Sequence, residues 1–382
     1  MRETVQLLQA LDELDSTKQQ AVLATVVKVE GSAYRRPGAR MLIPQIGGSV
    51  GTVSGGCLEG DLIKKAWWLT EAGEPVTRTY STGAADYETD EEEELTFGLG
   101  CNGTVHILLE RVQGGQTPLS LSLLRQVQAS GVPAVLATVI ATSDDSVRLA
   151  ERAAIDSTGQ FHLTVHQPAL TRLLETDLQS VRERKSSALQ RYRLAGGEVE
   201  ILFEYLTPPR RLVVFGAGHD AQPLVSLARQ QGWQVTVIDA RSHFARRERF
   251  PEANQVLHLG IDQDHDLAAL LESAAVVVMS HSYSQDRHWL EQALHLQPSY
   301  IGQLGPRSRT ERLLDEIGMI SRHFPAYERL HYPMGLDIGG DAPESVALSV
   351  LAEISAPFTG RAGRMLMTRE DPIHDSVPTL RV

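Results

Sequence analysis

One hexapeptide occurs twice in this chain. Ala-Val-Leu-Ala-Thr-Val occupies residues 21–26 and returns at residues 134–139, 113 residues later. The predicted elements that follow each copy agree in order: a strand (40–43 and 152–156), a helix (59–71 and 168–188) and a closing strand (105–110 and 199–204). A shared segment with the same order of elements is typical of a duplicated unit. The sequence therefore predicts an N-terminal α/β domain over 1–206, built from halves 1–112 and 113–206.

The region after residue 206 alternates short apolar runs with helical stretches. This alternation predicts a Rossmann-like, doubly wound parallel sheet over 207–355, followed by a mobile tail over 356–382. The last helix is predicted to begin at an N-cap aspartate, Asp341. The strand candidates are 212–215, 234–238, 256–259, 275–280 and 300–303.

A glycine turn in this second domain predicts a phosphate or nucleotide site. Gly216-Ala217-Gly218 follows the first strand and opens a helix, as in dinucleotide-binding folds. Asp239 ends the second strand, where an acidic residue would bind a ribose hydroxyl, and Arg241 could accommodate an extra anionic group. His281 follows the fourth strand and could carry a proton or donate a hydrogen bond. The predicted contacts in this domain are Gly216, Gly218, His219, Asp239, His281 and Gly339.

Both cysteines of the chain lie among glycines. Cys57 belongs to Ser54-Gly55-Gly56-Cys57, and Cys101 follows Gly98-Leu99-Gly100. Either could simply fill a core, because free cysteine is among the most buried residue types. Glycines, however, let a ligand approach the backbone, and a thiolate is a soft metal donor. Three arginines that could hold a phosphate lie earlier in the chain: Arg35, Arg36 and Arg40.

The charge and the apolar runs narrow the classes of partner. The formal net charge of −12 argues against a general nucleic-acid binder. No apolar run reaches the roughly 18 residues of a membrane helix, and residues 1–5 do not resemble a signal peptide. We therefore expect a cytoplasmic protein that does not bind membranes, with both thiols reduced.

Taken together, several motifs resemble those of the XdhC/CoxI family, the xanthine dehydrogenase accessory factors. They are Gly31–Ala39, Ser54–Glu59, Gly98–Cys101, Gly216–His219, Tyr300–Gly302 with Leu304-Gly305, and Gly335–Gly339. The resemblance covers nearly the whole chain. It implies a chaperone that binds the molybdenum cofactor, as molybdopterin or its cytosine dinucleotide form, with Cys57 in contact with the cofactor and its metal.

The same resemblance implies the partners. The chaperone would shield the cofactor while a cysteine desulfurase replaces an oxo ligand with sulfide, and would then insert it into a molybdenum hydroxylase. A homodimer is also expected. The predicted contacts in the first domain are Ser54, Gly55, Gly56, Cys57, Arg35, Arg36, Arg40 and Cys101.

Two other functions remain open from the sequence. The Gly216 turn and Asp239 would also suit an NAD(P)-dependent oxidoreductase, although no acid–base set beyond His281 is evident. A redox sensor pairing Cys57 with Cys101 would need their Cα atoms within about 7 Å. The resemblance implies a non-catalytic accessory factor in preference to either.

Overall fold

The structure, a computed structural model, describes residues 2–81, 103–319, 325–370, 373 and 377–380. It forms two compact units, and each is considered separately. One comprises Glu3–Pro208 with the described residues 377–380, and the other comprises Arg2 with the described residues of Pro209–Ile373. Across the described residues, no helix is both long and apolar enough to cross a membrane.

The first half of the N-terminal unit is an antiparallel sheet with two helices. Its central strand is a nearly continuous buried run, as the apolar residues 21–27 predict. The strand order is β3-β2-β1-β5-β4. The elements are α1 (Arg2–Thr17), β1 (Gln20–Gly31), β2 (Arg40–Pro44), β3 (Val50–Gly51), α2 (Glu59–Leu69), β4 (Val76–Ser81) and β5 (Gly103–Gln113).

The second half repeats this arrangement. Its strand order is β8-β7-β6-β10-β9, which matches the first sheet strand for strand. The two copies of the hexapeptide lie in the equivalent central strands β1 and β6, so the predicted internal duplication is confirmed. The elements are α3 (Leu119–Ser130), β6 (Ala134–Thr142), β7 (Arg152–Ile155), β8 (Phe161–Leu163), α4 (Pro168–Arg184), β9 (Ala188–Arg193) and β10 (Glu198–Leu206).

Two buried ion pairs join the halves. Arg40 Nη2 lies 2.8 Å from Glu204 Oε2, and Arg152 Nη2 lies 2.6 Å from Glu110 Oε2. Each pair takes its arginine from one half and its glutamate from the other. All four side chains are buried. Because Arg40 pairs with Thr25 in the first sheet as Arg152 pairs with Thr138 in the second, the two ion pairs are equivalent in the duplication.

The C-terminal unit is a parallel sheet of six strands in the order β13-β12-β11-β14-β15-β16. This is the doubly wound order of a Rossmann-like fold, which confirms the predicted class. Buried apolar clusters cover both faces. The elements are β11 (Arg211–Phe215), α5 (Ala221–Gln230), β12 (Gln234–Asp239), β13 (Gln255–His258), α6 (Ala268–Leu271), β14 (Ala275–Val278), α7 (Tyr283–Leu296), β15 (Tyr300–Gln303), α8 (Arg307–Ile317), β16 (Leu330–His331) and α9 (Pro343–Phe358).

The C-terminal region differs from the prediction at two points. Helix α9 is capped by Ala342 without a side-chain hydrogen bond, not by Asp341. Part of the predicted mobile tail packs on the N-terminal unit, because Leu380 is buried in its second core and the amide of Leu189 donates to Pro378 O at 2.9 Å. The exact domain boundaries stay a prediction.

Candidate functional site

Cys57 is an exposed free cysteine on a loop that Ser54 holds in shape. Three consecutive amides, those of residues 56, 57 and 58, donate to Ser54 Oγ at 3.2, 3.1 and 3.1 Å. Gly56 has a φ of +110°, a conformation that residues with a side chain rarely adopt. The Ser-Gly-Gly-Cys sequence thus forms a tight turn that presents the thiol to solvent at the start of α2.

Glu59, in the first turn of α2, holds the N-terminal side of this loop through hydrogen bonds. Its Oε1 accepts from the amides of Val53 and Ser54 at 3.1 and 2.8 Å, and Ser54 Oγ donates to its Oε2. Burial alone would raise the pKa of Glu59. The hydrogen bonds that stabilise the carboxylate outweigh burial and hold the pKa below its ordinary value.

We expect acid to loosen the Cys57 loop through Glu59. A carboxylate with a depressed pKa contributes stability above its ordinary pKa of 4.5, and this contribution is lost as pH falls through the lower folded-state value. Amide hydrogen exchange at residues 53 and 54, corrected for intrinsic rates, should therefore accelerate in that acidic range. In Glu59→Gln the same amides should exchange faster already at neutral pH and lose most of the pH dependence.

The central strand β1 is the internal control for that experiment, because its buried amides report whether the unit as a whole stays folded. If the amides of residues 53 and 54 keep full protection while Glu59 is protonated, the carboxylate does not hold the loop.

A small cavity of about 40 Å³ lies beside the thiol. Tyr34, Arg35 and Cys57 line it together with Ser32, Ala33, Val53, Ser54, Gly55, Leu58, Gly103 and Val105. Its volume is close to that of one water molecule, so it cannot enclose a large ligand. Any large ligand would have to meet Cys57 on its exposed side.

The predicted arginine cluster is only partly formed. Arg35 lines the cavity, but its guanidinium donates to Glu3, which also accepts from Thr52 Oγ1 at 3.1 Å. Among the described contacts, Arg36 makes no ion pair, and it is half-buried. Arg36 is therefore the candidate for holding an anion in this loop, and Arg35 could do so only by sharing its guanidinium with Glu3.

Arg40 requires a correction. It does not line the cavity, and its charge is matched by the buried Glu204. Its counterpart Arg152 makes the same kind of pair in the half that lacks a cysteine, so this arginine position holds the two halves together. Cys101, the other predicted contact, lies outside the described residues.

The glycine turn of the C-terminal unit packs tightly against the neighbouring strand end. Gly216 has a φ of +126°, and a Cβ placed there would lie 2.5 Å from Met279 O. A Cβ on Gly218 would lie 2.4 Å from Asp220 Oδ1. Gly216 is thus needed where β11 and β14 end side by side, whereas a side chain at Gly218 would displace the Asp220 carboxylate.

Asp239 lies at the end of β12 as predicted, but it is not available to a ribose. The side chain is fully buried, and its oxygens accept from Arg241 Nε and Nη2 at 2.9 and 2.8 Å and from the amide of Ala217 at 2.8 Å. Burial alone would raise the pKa of Asp239, but these hydrogen bonds outweigh it and keep the pKa below its usual value. The predicted ribose contact is therefore replaced by an internal ion pair.

His281 is exposed at the same edge. Its Nε2 lies 2.6 Å from Asp220 Oδ2, and its backbone has a φ of +58°, which is uncommon for a residue with a side chain. His219 is exposed nearby in sequence, in the Gly216 turn. Gly339 belongs to a separate loop before α9, and no contact described here joins it to His281 or to the Gly216 turn.

Two site residues and the main contact of a third are not evident from the sequence. Tyr34 lines the cavity beside Gly55, where a Cβ placed on the glycine would lie 3.6 Å from its ring, and Asp220 pairs with His281. Tyr34 lies inside the glycine- and arginine-rich loop that the sequence singled out, and Asp220 lies inside the Gly216 motif. Arg241, expected to accommodate an anionic group of a ligand, instead binds Asp239, two positions before it.

The fold and these residues define a two-unit α/β protein: a duplicated antiparallel unit that presents the exposed thiol of Cys57, and a Rossmann-like unit. Within the described residues, no cluster of three or more histidine, cysteine or acidic side chains could hold a metal ion.

Comparison with known proteins shows which family this architecture belongs to. The family model for the XdhC Rossmann domain matches residues 212–354 of the sequence. The family model for the XdhC and CoxI family matches residues 14–81. A Bacillus subtilis (strain 168) protein, named as a probable subunit of xanthine dehydrogenase, is 32% identical over 346 residues, covering 90% of this chain and 95% of its own length. The chain belongs to the XdhC and CoxI family, as its motifs predict.

Two further relatives extend the comparison. The Escherichia coli (strain K12) protein named "Molybdenum cofactor insertion chaperone PaoD" is 26% identical over 339 residues, covering 88% of this chain and 83% of its own. A crystal structure of a Bacillus halodurans protein described as a xanthine dehydrogenase has a TM-score of 0.69 and 28% identity, covering 93% of this chain and 96% of that one.

Proposed function

We propose that this protein is a molybdenum cofactor chaperone that serves a hydroxylase of the xanthine dehydrogenase type. The observation that carries this function is the exposed Cys57 thiol, held on the loop that Ser54 and Glu59 fix, in a chain whose relatives include a named cofactor insertion chaperone. A thiolate on a preorganised turn is a suitable soft ligand for a sulfur-bearing metal centre.

The exposed Cys57 thiol fits the metal end of such a cofactor, because a large ligand can reach it from solvent. The thiol is exposed, and the adjoining cavity of about 40 Å³ is too small for a pterin. Cys57 would supply a single soft contact to the metal, while Arg35 or Arg36 would hold an anionic group. The bound metal centre would supply the site that exchanges an oxo ligand for sulfide.

The finer parts of this function are also our proposal. The chaperone protects the cofactor during sulfuration by a cysteine desulfurase and then transfers it to the hydroxylase. The Gly216 turn and His281 would hold a phosphate or nucleotide group in the C-terminal unit. Mass spectrometry of the copurifying ligand distinguishes molybdopterin from its cytosine dinucleotide form, light scattering tests the homodimer, and pull-down from a cell extract tests the desulfurase.

We expect Cys57→Ser to reduce molybdenum retention at least about tenfold, the effect of losing about 1.4 kcal/mol of binding free energy. Serine keeps the size of the side chain but is a harder and weaker ligand for a soft metal. The measurement is molybdenum per chain by elemental mass spectrometry, after purification of both proteins from cells that make the cofactor.

Ser122→Ala, an exposed serine on α3, is the matched control and should retain molybdenum like the parent. Equal retention by Cys57→Ser and the parent would show that the thiol does not contact the metal. Absence of molybdenum and pterin from both proteins would refute the chaperone function itself.

A further inference from the structure

A protein side chain occupies the position at which a Rossmann-like sheet would bind a dinucleotide. We propose that Arg241 is a specificity-determining residue that excludes NAD(H) from the C-terminal unit. This role goes beyond the chaperone function and does not depend on it, because it concerns only which ligands the sheet edge rejects.

Arg241 spans three neighbouring strand ends. It follows β12, and its guanidinium donates to Asp239 at the end of that strand at 2.9 and 2.8 Å. The same Nη2 lies 3.3 Å from Ser280 O, beyond the end of β14. The strands lie in the order β12-β11-β14, so this side chain crosses the carboxyl end of β11, where the Gly216 turn begins.

That crossing point is where a dinucleotide would lie. The order of the strands reverses between β11 and β14, and ligands of open α/β sheets bind in the crevice at such a switch point. A bound dinucleotide would place its pyrophosphate at the Gly216 turn and its ribose hydroxyls on the acidic residue at the end of the second strand. Arg241 donates to both carboxylate oxygens of Asp239 and crosses the end of β11, where the Gly216 turn begins.

Several contacts fix Arg241 in this orientation. Its backbone amide donates to Asp239 Oδ1 at 2.9 Å, and its guanidinium lies 4.0 Å from the centroid of the Phe244 ring. Arg249 lies over the same ring at 4.9 Å. The Arg241 side chain is about one-third exposed, so solvent reaches its outer side while its inner side remains bonded.

A ribose that displaced Arg241 would bind Asp239 less strongly than the arginine does. The arginine and the carboxylate form a bidentate, charge-assisted pair, whose hydrogen bonds are about twice as strong as those of neutral groups. Two ribose hydroxyls would replace these with neutral donors and would leave the guanidinium without its partner. The native crevice therefore favours its own arginine over a ribose.

Removing Arg241 should create a dinucleotide site. The experiment titrates the full-length protein with NADH and follows nicotinamide fluorescence. The parent should give no saturable signal up to the highest NADH concentration tested. Arg241→Ala should saturate with a Kd at least about tenfold below that concentration, a gain of at least about 1.4 kcal/mol. Arg241→Lys keeps the charge but not the bidentate geometry, and should bind with intermediate affinity.

Two controls separate this effect from general loosening. Arg249 is the other cation over the Phe244 ring, and it makes no described contact with Asp239. The Arg249→Ala protein should therefore not bind NADH. Adding Asp239→Asn to Arg241→Ala should abolish the gained binding, because the ribose then loses its charged acceptor.

Saturable NADH binding by the parent would overturn the role of Arg241. So would an Arg241→Lys protein that retains the parent's thermal unfolding midpoint but gains no affinity. Because the titration contains no molybdenum cofactor, its result is independent of the retention experiment on Cys57.

Discussion

Replacing Arg40 with methionine should destabilise the N-terminal unit by about 3–5 kcal/mol, because Glu204 would be left as a buried carboxylate without its partner. The pair is shielded on both sides, with each side chain only 7% exposed. Arg40 also donates to Gly38 O at 2.8 Å, so the variant loses a second, partly buried hydrogen bond. Arg152→Met should have an effect of similar size, since it leaves Glu110 unpaired in the equivalent position.

The measurement must report on the N-terminal unit alone, because the chain has two units. Urea unfolding of the full chain, followed by hydrogen exchange of the amides in β1 and β6, meets this requirement. The double variant Arg40→Met with Glu204→Leu should recover most of the loss, because a buried ion pair replaced by apolar side chains is often neutral.

The exposed pair Arg193–Glu198 is the matched control, with side chains 86% and 44% exposed. Arg193→Met should change the unfolding free energy by less than about 1 kcal/mol, as is usual for a surface ion pair. If Arg40→Met costs no more than Arg193→Met, the buried pairs do not hold the two halves together.

These ion pairs show what the sequence could and could not predict. The hexapeptide repeat and the order of elements were sufficient to predict the duplication, because each half repeats the same local pattern. The partner of Arg40 was not predictable from the pattern, since Glu204 lies in the other half and meets it only when the two halves pack together. The repeat nevertheless held a hint: arginines 40 and 152 and glutamates 110 and 204 occupy equivalent positions in the two sheets.

In the candidate site, too, local features were predictable from the sequence and tertiary contacts were not. Local spacing correctly predicted a glycine turn at Gly216, because this feature depends on neighbouring residues. The availability of Asp239 depends instead on how Arg241 folds back over it, which a strand pattern does not specify. The strand β16 was also missed, because two residues, Leu330 and His331, are too few to give a periodic signal.

Gly216→Ala should destabilise the C-terminal unit by roughly 3 kcal/mol or more, whether or not the unit binds a phosphate. Two costs combine at this position: a side chain at φ +126° stores roughly 1–3 kcal/mol of strain, and overpacking costs a similar amount. The new Cβ would lie 2.5 Å from Met279 O, a backbone atom of the loop that leads to His281, so relief requires the two strand ends to separate.

Gly260→Ala in the same unit is the matched control, because no atom lies within 4 Å of a Cβ placed there. Its unfolding free energy should change by no more than about 0.5 kcal/mol, as at most surface positions. Hydrogen exchange of the amides in β11, β12 and β14 reports on this unit alone. Equal stability of the two alanine variants would show that the β11 and β14 ends are not packed as tightly as described. A large loss in Gly216→Ala alone would show that this glycine is required by the sheet itself, so that its presence in the turn is not by itself a sign of nucleotide binding.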